Sequence, residues 1–118
     1  MSGTAGQDHL ERAQALRPLL LREAEAIERG RRLTPAVVTG LVENGLYRML
    51  LPKSIGGAEL DPASFMPTIE EIAKGDASTA WCLCQCAVSA MVAAYMERSA
   101  AEEIFNTPPG ILAWGAVA

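Results

Sequence analysis

One histidine, His9, stands in a chain of 118 residues. A Ser-His-Asp triad needs a histidine beside its nucleophile, and an H-E-x-x-H zinc site needs two on one helix face. His9 also falls in an N-terminal segment that the sequence predicts to be mobile, which disfavours the triad, while a single histidine rules out the zinc site. Neither G-x-G-x-x-G nor G-x-x-x-x-G-K-[ST] occurs, which removes the local signatures of dinucleotide and nucleoside-triphosphate binding. Cysteines number three, Cys82, Cys84 and Cys86. An odd, crowded count without a secretory leader reads as reduced thiols in a cytoplasmic protein. Residues 1–8 have neither the basic flank nor the apolar stretch of such a leader. Trp, Tyr and Phe appear only twice each. No basic stripe is present to neutralise a run of phosphates, so nucleic acid is not an expected partner.

Half of the residues are apolar and 20% are charged, the balance of one folded domain rather than a disordered chain. A chain of this length buries roughly two-thirds of the surface its unfolded form exposes. The net charge is −4. It is uneven: up to Arg32 six arginines face five carboxylates, and beyond it four basic side chains face nine acids. The N-terminal arginines alternate with glutamates as on a solvated helix face. There is no internal repeat.

Helical periodicity with marked ends runs through the chain. A first helix is predicted over residues 7–29, with Leu10, Ala13, Leu16, Leu20, Ala24 and Ile27 as its stripe and a kink at Pro18, whose missing N–H leaves the Gln14 carbonyl unpaired. Thr34-Pro35 opens a second helix, with Val37, Val38, Leu41 and Val42 turned inward and Asn44-Gly45 as a left-handed stop. A short apolar piece, residues 46–51, ends at Pro52, and residues 53–60 with Gly56-Gly57 read as a loop. Asp61-Pro62 repeats the cap-plus-proline start; Phe65, Met66, Ile69, Ile72 and Ala73 share a face, although Pro67 moves the expected start towards Met66. Gly75 closes that helix and Asp76 caps the next. Residues 77–96 carry no charge, a membrane-span length. Six alanines, three cysteines, four Ser, Thr or Gln side chains and one leucine suit the buried centre of a soluble bundle better. Ser99 and Glu102 have capping-box spacing for a last short helix. Residues 111–118 form an apolar run of strand type that needs neighbours in a sheet. The chain thus reads as the first part of a longer protein: an all-α domain over 1–110, then a first strand or linker over 111–118.

Three clusters invite chemistry. Cys82 and Cys86 share a helix face while Cys84 points away, and no histidine completes a zinc site, so the thiols read as packing and no metal is expected. Glu70-Glu71 and Glu102-Glu103 diverge by about 100° as helix neighbours and read as solvated faces. Trp81, Gln85, Ser89 and Val92 lie on one face of the uncharged helix. An indole, an amide and a hydroxyl there serve either helix-to-helix bonding or a pocket wall.

Residues 44–53 (NGLYRMLLPK), leading into Ile55-Gly56-Gly57, resemble the entry of the acyl-CoA dehydrogenase fold, in which a helix ends in "GL" and a "P…GG" turn follows. Gly75-Asp76-Ala77-Ser78-Thr79-Ala80-Trp81 is similar to the start of that fold's central helix, in wording closest to the flavin-dependent monooxygenase (hydroxylase) branch. Gly110-Ile111-Leu112-Ala113-Trp114-Gly115 resembles the approach to the family's middle β-domain. The resemblance covers about residues 10–118. It implies an N-terminal helical bundle domain whose complete enzyme adds a β-domain and a C-terminal four-helix bundle. It also implies FAD or FMN held mainly by those later domains, and a catalytic carboxylate outside this chain. On that footing Trp81, Gln85 and Ser89 are the substrate-pocket residues, this chain holds no catalytic residue, and alone it binds no flavin and turns nothing over. The reaction implied is acyl-CoA dehydrogenation or hydroxylation with reduced flavin from a partner reductase, on an acyl-CoA or aromatic substrate, in a cytoplasmic homo-oligomer. The monooxygenase branch often has a histidine near the position of Ser89, where this chain has none. The competing expectation is a non-catalytic helical interaction or oligomerisation module.

Overall fold

The structure is a computed structural model that describes residues 2–106 and 110–114. Its first apolar stripe spans two helices, α1 (Ser2–Ala15) and α2 (Arg17–Gly30). The break falls at Leu16, whose N–H reaches Ala13 at 3.1 Å and whose carbonyl takes Leu20 N–H at 3.0 Å. The expected kink is therefore a full interruption: Pro18 has no N–H, and Arg17-Pro18 starts a new helix instead. Ala13, Leu16, Leu20 and Ile27 stay on the buried side across it. The helix begins at Ser2, not near Gln7, and His9 is buried, its Nδ1 donating to the Ala5 carbonyl at 2.7 Å. The expectation of a mobile segment around His9 is thereby corrected; residues 2–15 pack along the bundle and bury the imidazole.

Thr34 caps α3 (Pro35–Glu43) by accepting from Val37 N–H, and Gly45 at φ 68° makes the left-handed stop. Val37 and Leu41 are buried, whereas Val42 is exposed. The loop from Leu46 to Leu60 contains 3-10 turns at Leu46–Arg48 and Lys53–Ile55. It folds back on itself through Ala58 N–H to Arg48 O and Leu60 N–H to Met49 O (3.0 and 2.8 Å). Gly57 sits so close that a Cβ there would lie 1.9 Å from the Leu51 carbonyl.

Asp61 caps α4 (Pro62–Gly75) through Ser64 N–H at 2.8 Å. The helix starts at Pro62 and carries Pro67 inside it, against the expected start near Met66. The proline deprives the Ala63 carbonyl of its partner, but both residues are exposed, so water serves that carbonyl. Phe65, Ile69 and Ile72 face inward while Met66 and Ala73 do not. α4 packs against α1, α2 and α5 (Ala77–Ser89). A 3-10 stretch, Ala90–Tyr95, extends α5, and α6 (Arg98–Asn106) closes the described bundle. α6 opens two residues ahead of the expected capping box, with Glu97 in place of Ser99 before its first turn: Ala101 N–H bonds to Glu97 O, and Glu102 takes Arg98 Nε at 2.8 Å.

Two cores result. The larger joins α1 to α5 around Leu20, Leu41, Leu46, Ile72 and Leu83; the smaller sets Leu51 and Ile55 against Ala90, Ala93, Ala101 and Phe105. Each fully buried leucine or isoleucine contributes about 2 kcal/mol. Among the described residues there is no strand. Residues 110–114 have no regular structure, and residues 115–118 of the expected strand lie outside the described ones.

Candidate functional site

The uncharged helix is not the buried centre of the bundle. Thr79, Ala80, Leu83 and Ala87 face inward, but Trp81 is 68% exposed, and Val88, Met91, Val92 and Tyr95 also stand in solvent. Of the apolar stretch Ala77–Tyr95, which has the length and hydropathy of a membrane span, one third is buried. The reason lies in the neighbours: α4, α2 and the Leu46–Arg48 turn cover one side of α5, and the other meets Trp114, from outside the regular elements, at Gln85.

That open side carries the three predicted pocket residues. Asp76 fixes where the helix begins, its Oδ2 accepting from Thr79 N–H at 2.8 Å and Thr79 Oγ1 at 2.7 Å. From that start Trp81, Gln85 and Ser89 follow one another along one face, Trp81 exposed and the other two half-buried. Ser89 Oγ donates to the Gln85 carbonyl at 2.7 Å, an in-helix bond that leaves the hydroxyl oxygen free to accept. Gln85 Oε1 accepts from Trp114 Nε1. Its oxygen is thus engaged, while the two N–H donors of the Gln85 amide take no acceptor among the described residues. Trp114, itself 66% exposed, was not among the residues singled out from the sequence. Its partner lies 29 residues away, beyond the reach of any local pattern.

The other clusters behave differently. The three cysteines are free and half-buried, with Cys84 and Cys86 packed on the larger core, and the described residues hold no group of three metal-ligating side chains. Tyr47, buried beneath α5, has its phenol pushed up to about 12, by burial first and then by the neighbouring Cys86 and Cys82. Burial and Cys82 also raise the Cys86 thiol. Glu71 contradicts its solvated reading: it is 4% exposed, ion-paired to Arg17 and held by Lys74 at 3.1 Å. Its neighbour Glu70 stays in water, and Glu102 pairs with Arg98 on the surface.

The described residues thus form an all-α bundle whose uncharged helix keeps one apolar face largely exposed. Residues 8–105 match the family "Acyl-CoA dehydrogenase, N-terminal domain", and the chain belongs to that family. It is similar to the indole-3-acetate monooxygenase of Pseudomonas putida, 33% identical over 88 residues that make up 75% of this chain and 23% of that protein. It is also similar to HsaA of Rhodococcus jostii, the oxygenase subunit of a flavin-dependent monooxygenase, 35% identical over 72 residues, 61% of this chain and 19% of that one. The solved structure of XiaF from Streptomyces sp., in complex with FADH2 and glycerol, superposes with a TM-score of 0.85 at 26% identity, covering 92% of this chain and 28% of XiaF. The chain thus spans between 19% and 28% of the length of these relatives.

Proposed function

We propose that this chain is the helical N-terminal domain of the oxygenase component of a two-component flavin-dependent monooxygenase, and that the open face of α5 is one wall of its substrate cavity. The observation that carries this reading is the row of exposed Trp81 and half-buried Gln85 and Ser89, flanked by exposed Val88 and Val92, on a helix whose opposite side is core. A soluble domain does not leave an indole and a line of valine and methionine in water without a use for them. The resemblance to monooxygenase oxygenases supports hydroxylation over acyl-CoA dehydrogenation.

The donor set fits the edge of a flat conjugated ring system such as a flavin, or of an aromatic substrate beside it. The indole offers a stacking surface and the Gln85 amide offers N–H donors to a ring oxygen. Without a glycine-rich phosphate loop in the sequence, the phosphates of FAD or FMN would be held outside this chain. Reduced flavin, when bound, supplies the electrons for O2 activation. Trp81 then positions the ring, Gln85 orients a polar oxygen, Ser89 accepts a hydrogen bond from a hydroxyl, and Val88 and Val92 keep water from the cavity. A flavin reductase partner, a cytoplasmic location and a homo-oligomeric complete enzyme belong to the same proposal, as does residues 111–118 leading into a β-domain.

Trp81→Ala in the full-length protein, assayed with a reductase and a panel of aromatic acids, tests it. The expected result is a KM raised about tenfold, the loss of one aromatic contact, or a larger share of O2 released as hydrogen peroxide. Unchanged KM together with unchanged coupling would remove Trp81 from the site and return the face to a protein-interaction role.

A further inference from the structure

Arg48 lies outside the α5 face, yet its guanidinium binds the segment that carries Trp114. It donates to the Phe105 carbonyl at 2.6 Å, to Asn106 Oδ1 at 2.7 Å and to the Ile55 carbonyl at 3.3 Å. Asn106 Nδ2 donates to the same Ile55 carbonyl at 2.9 Å. None of these acceptors is a carboxylate. The charge therefore serves the C-terminal end of α6, where unpaired carbonyls and the helix dipole favour a cation. Beyond α6 the chain returns to the same place: Gly110 and Ile111 line a small notch with Arg48 and Tyr47. Gly110 is pressed onto α6, since a Cβ there would lie 2.2 Å from the Ile104 carbonyl. Leu112 packs on the smaller core, and two residues later Trp114 reaches Gln85.

We propose that Trp114 is the specificity-determining residue of the α5 wall, locking the Gln85 amide with its donors outward, and that Arg48 is the positioning residue that holds Trp114 there by clamping the end of α6. The ligand group opposite Gln85 is then a hydrogen-bond acceptor, a carbonyl, phenolate or carboxylate oxygen, because the amide oxygen already accepts one bond from Trp114 while both Nε2 donors have no acceptor among the described residues. This ligand consequence rests on the α5 face being a cavity wall; the coupling from Arg48 to Trp114 does not.

The coupling is read without any ligand, from the two indole N–H resonances of the 118-residue chain, with Trp81→Phe to assign them. In the parent chain the Trp114 signal should be shifted by its bond to Gln85 and protected from exchange. Arg48→Met and Gly110→Val should each return it to the free-indole position with about fivefold faster exchange, the loss of one net hydrogen bond. Gln85→Met should do the same. Arg48→Lys should keep much of the shift, and the Trp81 signal should stay put throughout. A Trp114 signal that is free in the parent overturns the proposal. So does one that moves with Gln85→Met but ignores both Arg48→Met and Gly110→Val. Should Arg48→Met fail to fold, Gly110→Val decides alone, movement supporting the clamp and its absence refuting it. Failure here leaves the Trp81 reading intact, and failure of that reading leaves the clamp intact.

Discussion

Glu71 and Arg17 show what a buried charge costs at the level of single side chains. The carboxylate is 4% exposed, whereas Arg17 keeps 42% of its side chain in water and buries an Nε that finds no acceptor among the described residues. The pair is thus unequal. Removing Arg17 leaves a buried carboxylate with only the exposed Lys74, while removing Glu71 leaves an arginine that can turn to solvent. Arg17→Met should cost about 3 kcal/mol, below the upper end for buried pairs because water screens one partner, and Glu71→Met about 1 kcal/mol. The double variant should return close to the parent. Urea midpoints of the four proteins check this, and equal single costs would contradict it. Tyr47 acts at the same scale through pH. Its folded pKa of about 12 lies above the ordinary 10.0, so the native state holds the proton more tightly. Its contribution is complete below pH 10 and is lost as pH rises towards 12, a fall of roughly 2 kcal/mol, with Cys86 shifted in the same direction. Tyr47→Phe should flatten that alkaline loss in denaturation curves taken between pH 9 and about 12.

At the scale of elements, the joint between α4 and α5 has the most to lose. Asp76 ends one helix by donating its N–H to Ile72 O at 3.0 Å and begins the next by accepting from both Thr79 N–H and Thr79 Oγ1. Thr79 is fully buried, so Asp76→Ala would strand its hydroxyl as well as a helix N–H. The expected cost is about 2 kcal/mol, against about 1 kcal/mol for Asp61→Ala, whose cap holds the more open start of α4. Thermal denaturation of the two variants should rank them in that order. Because α5 carries Trp81, Gln85 and Ser89, loss of the Asp76 cap should also disturb the site, which Asp61→Ala should not.

Across the whole molecule the decisive feature is asymmetry: α5 is packed on one side and largely bare on the other. Trp81, Val88, Met91, Val92 and Tyr95 together present apolar surface along nearly the full stretch. Such a face drives association when nothing covers it. Trp81→Lys with Val92→Lys should lower self-association of the 118-residue chain in sedimentation velocity. The urea midpoint should move by no more than about 0.5 kcal/mol, since neither side chain supports the core. A large loss of stability would mean that the face is packed rather than open.

Helix ends were written in local chemistry. Thr34-Pro35, Gly45 and Asp76 act over three or four residues of backbone, so their types alone determined where α3 begins and stops and where α5 begins, whereas Asp61-Pro62 marked the start of α4 but Pro67 obscured it. The apolar period likewise determined which side of α1 and α2 is core, and residue wording determined the family. Periodicity does not report how many neighbours a helix will meet, so the bareness of α5 and the exposure of Val42 and Met66 emerged only in three dimensions. Pro67 inside α4 was illegible for a related reason: its cost depends on whether the stranded carbonyl reaches water. The burial of Glu71 by an arginine 54 residues away, the shifted phenol of Tyr47 under Cys86, and the bond from Trp114 to Gln85 all join distant parts of the chain. Local preference sets the elements, but pairing and desolvation between them are decided only when packing brings the partners together.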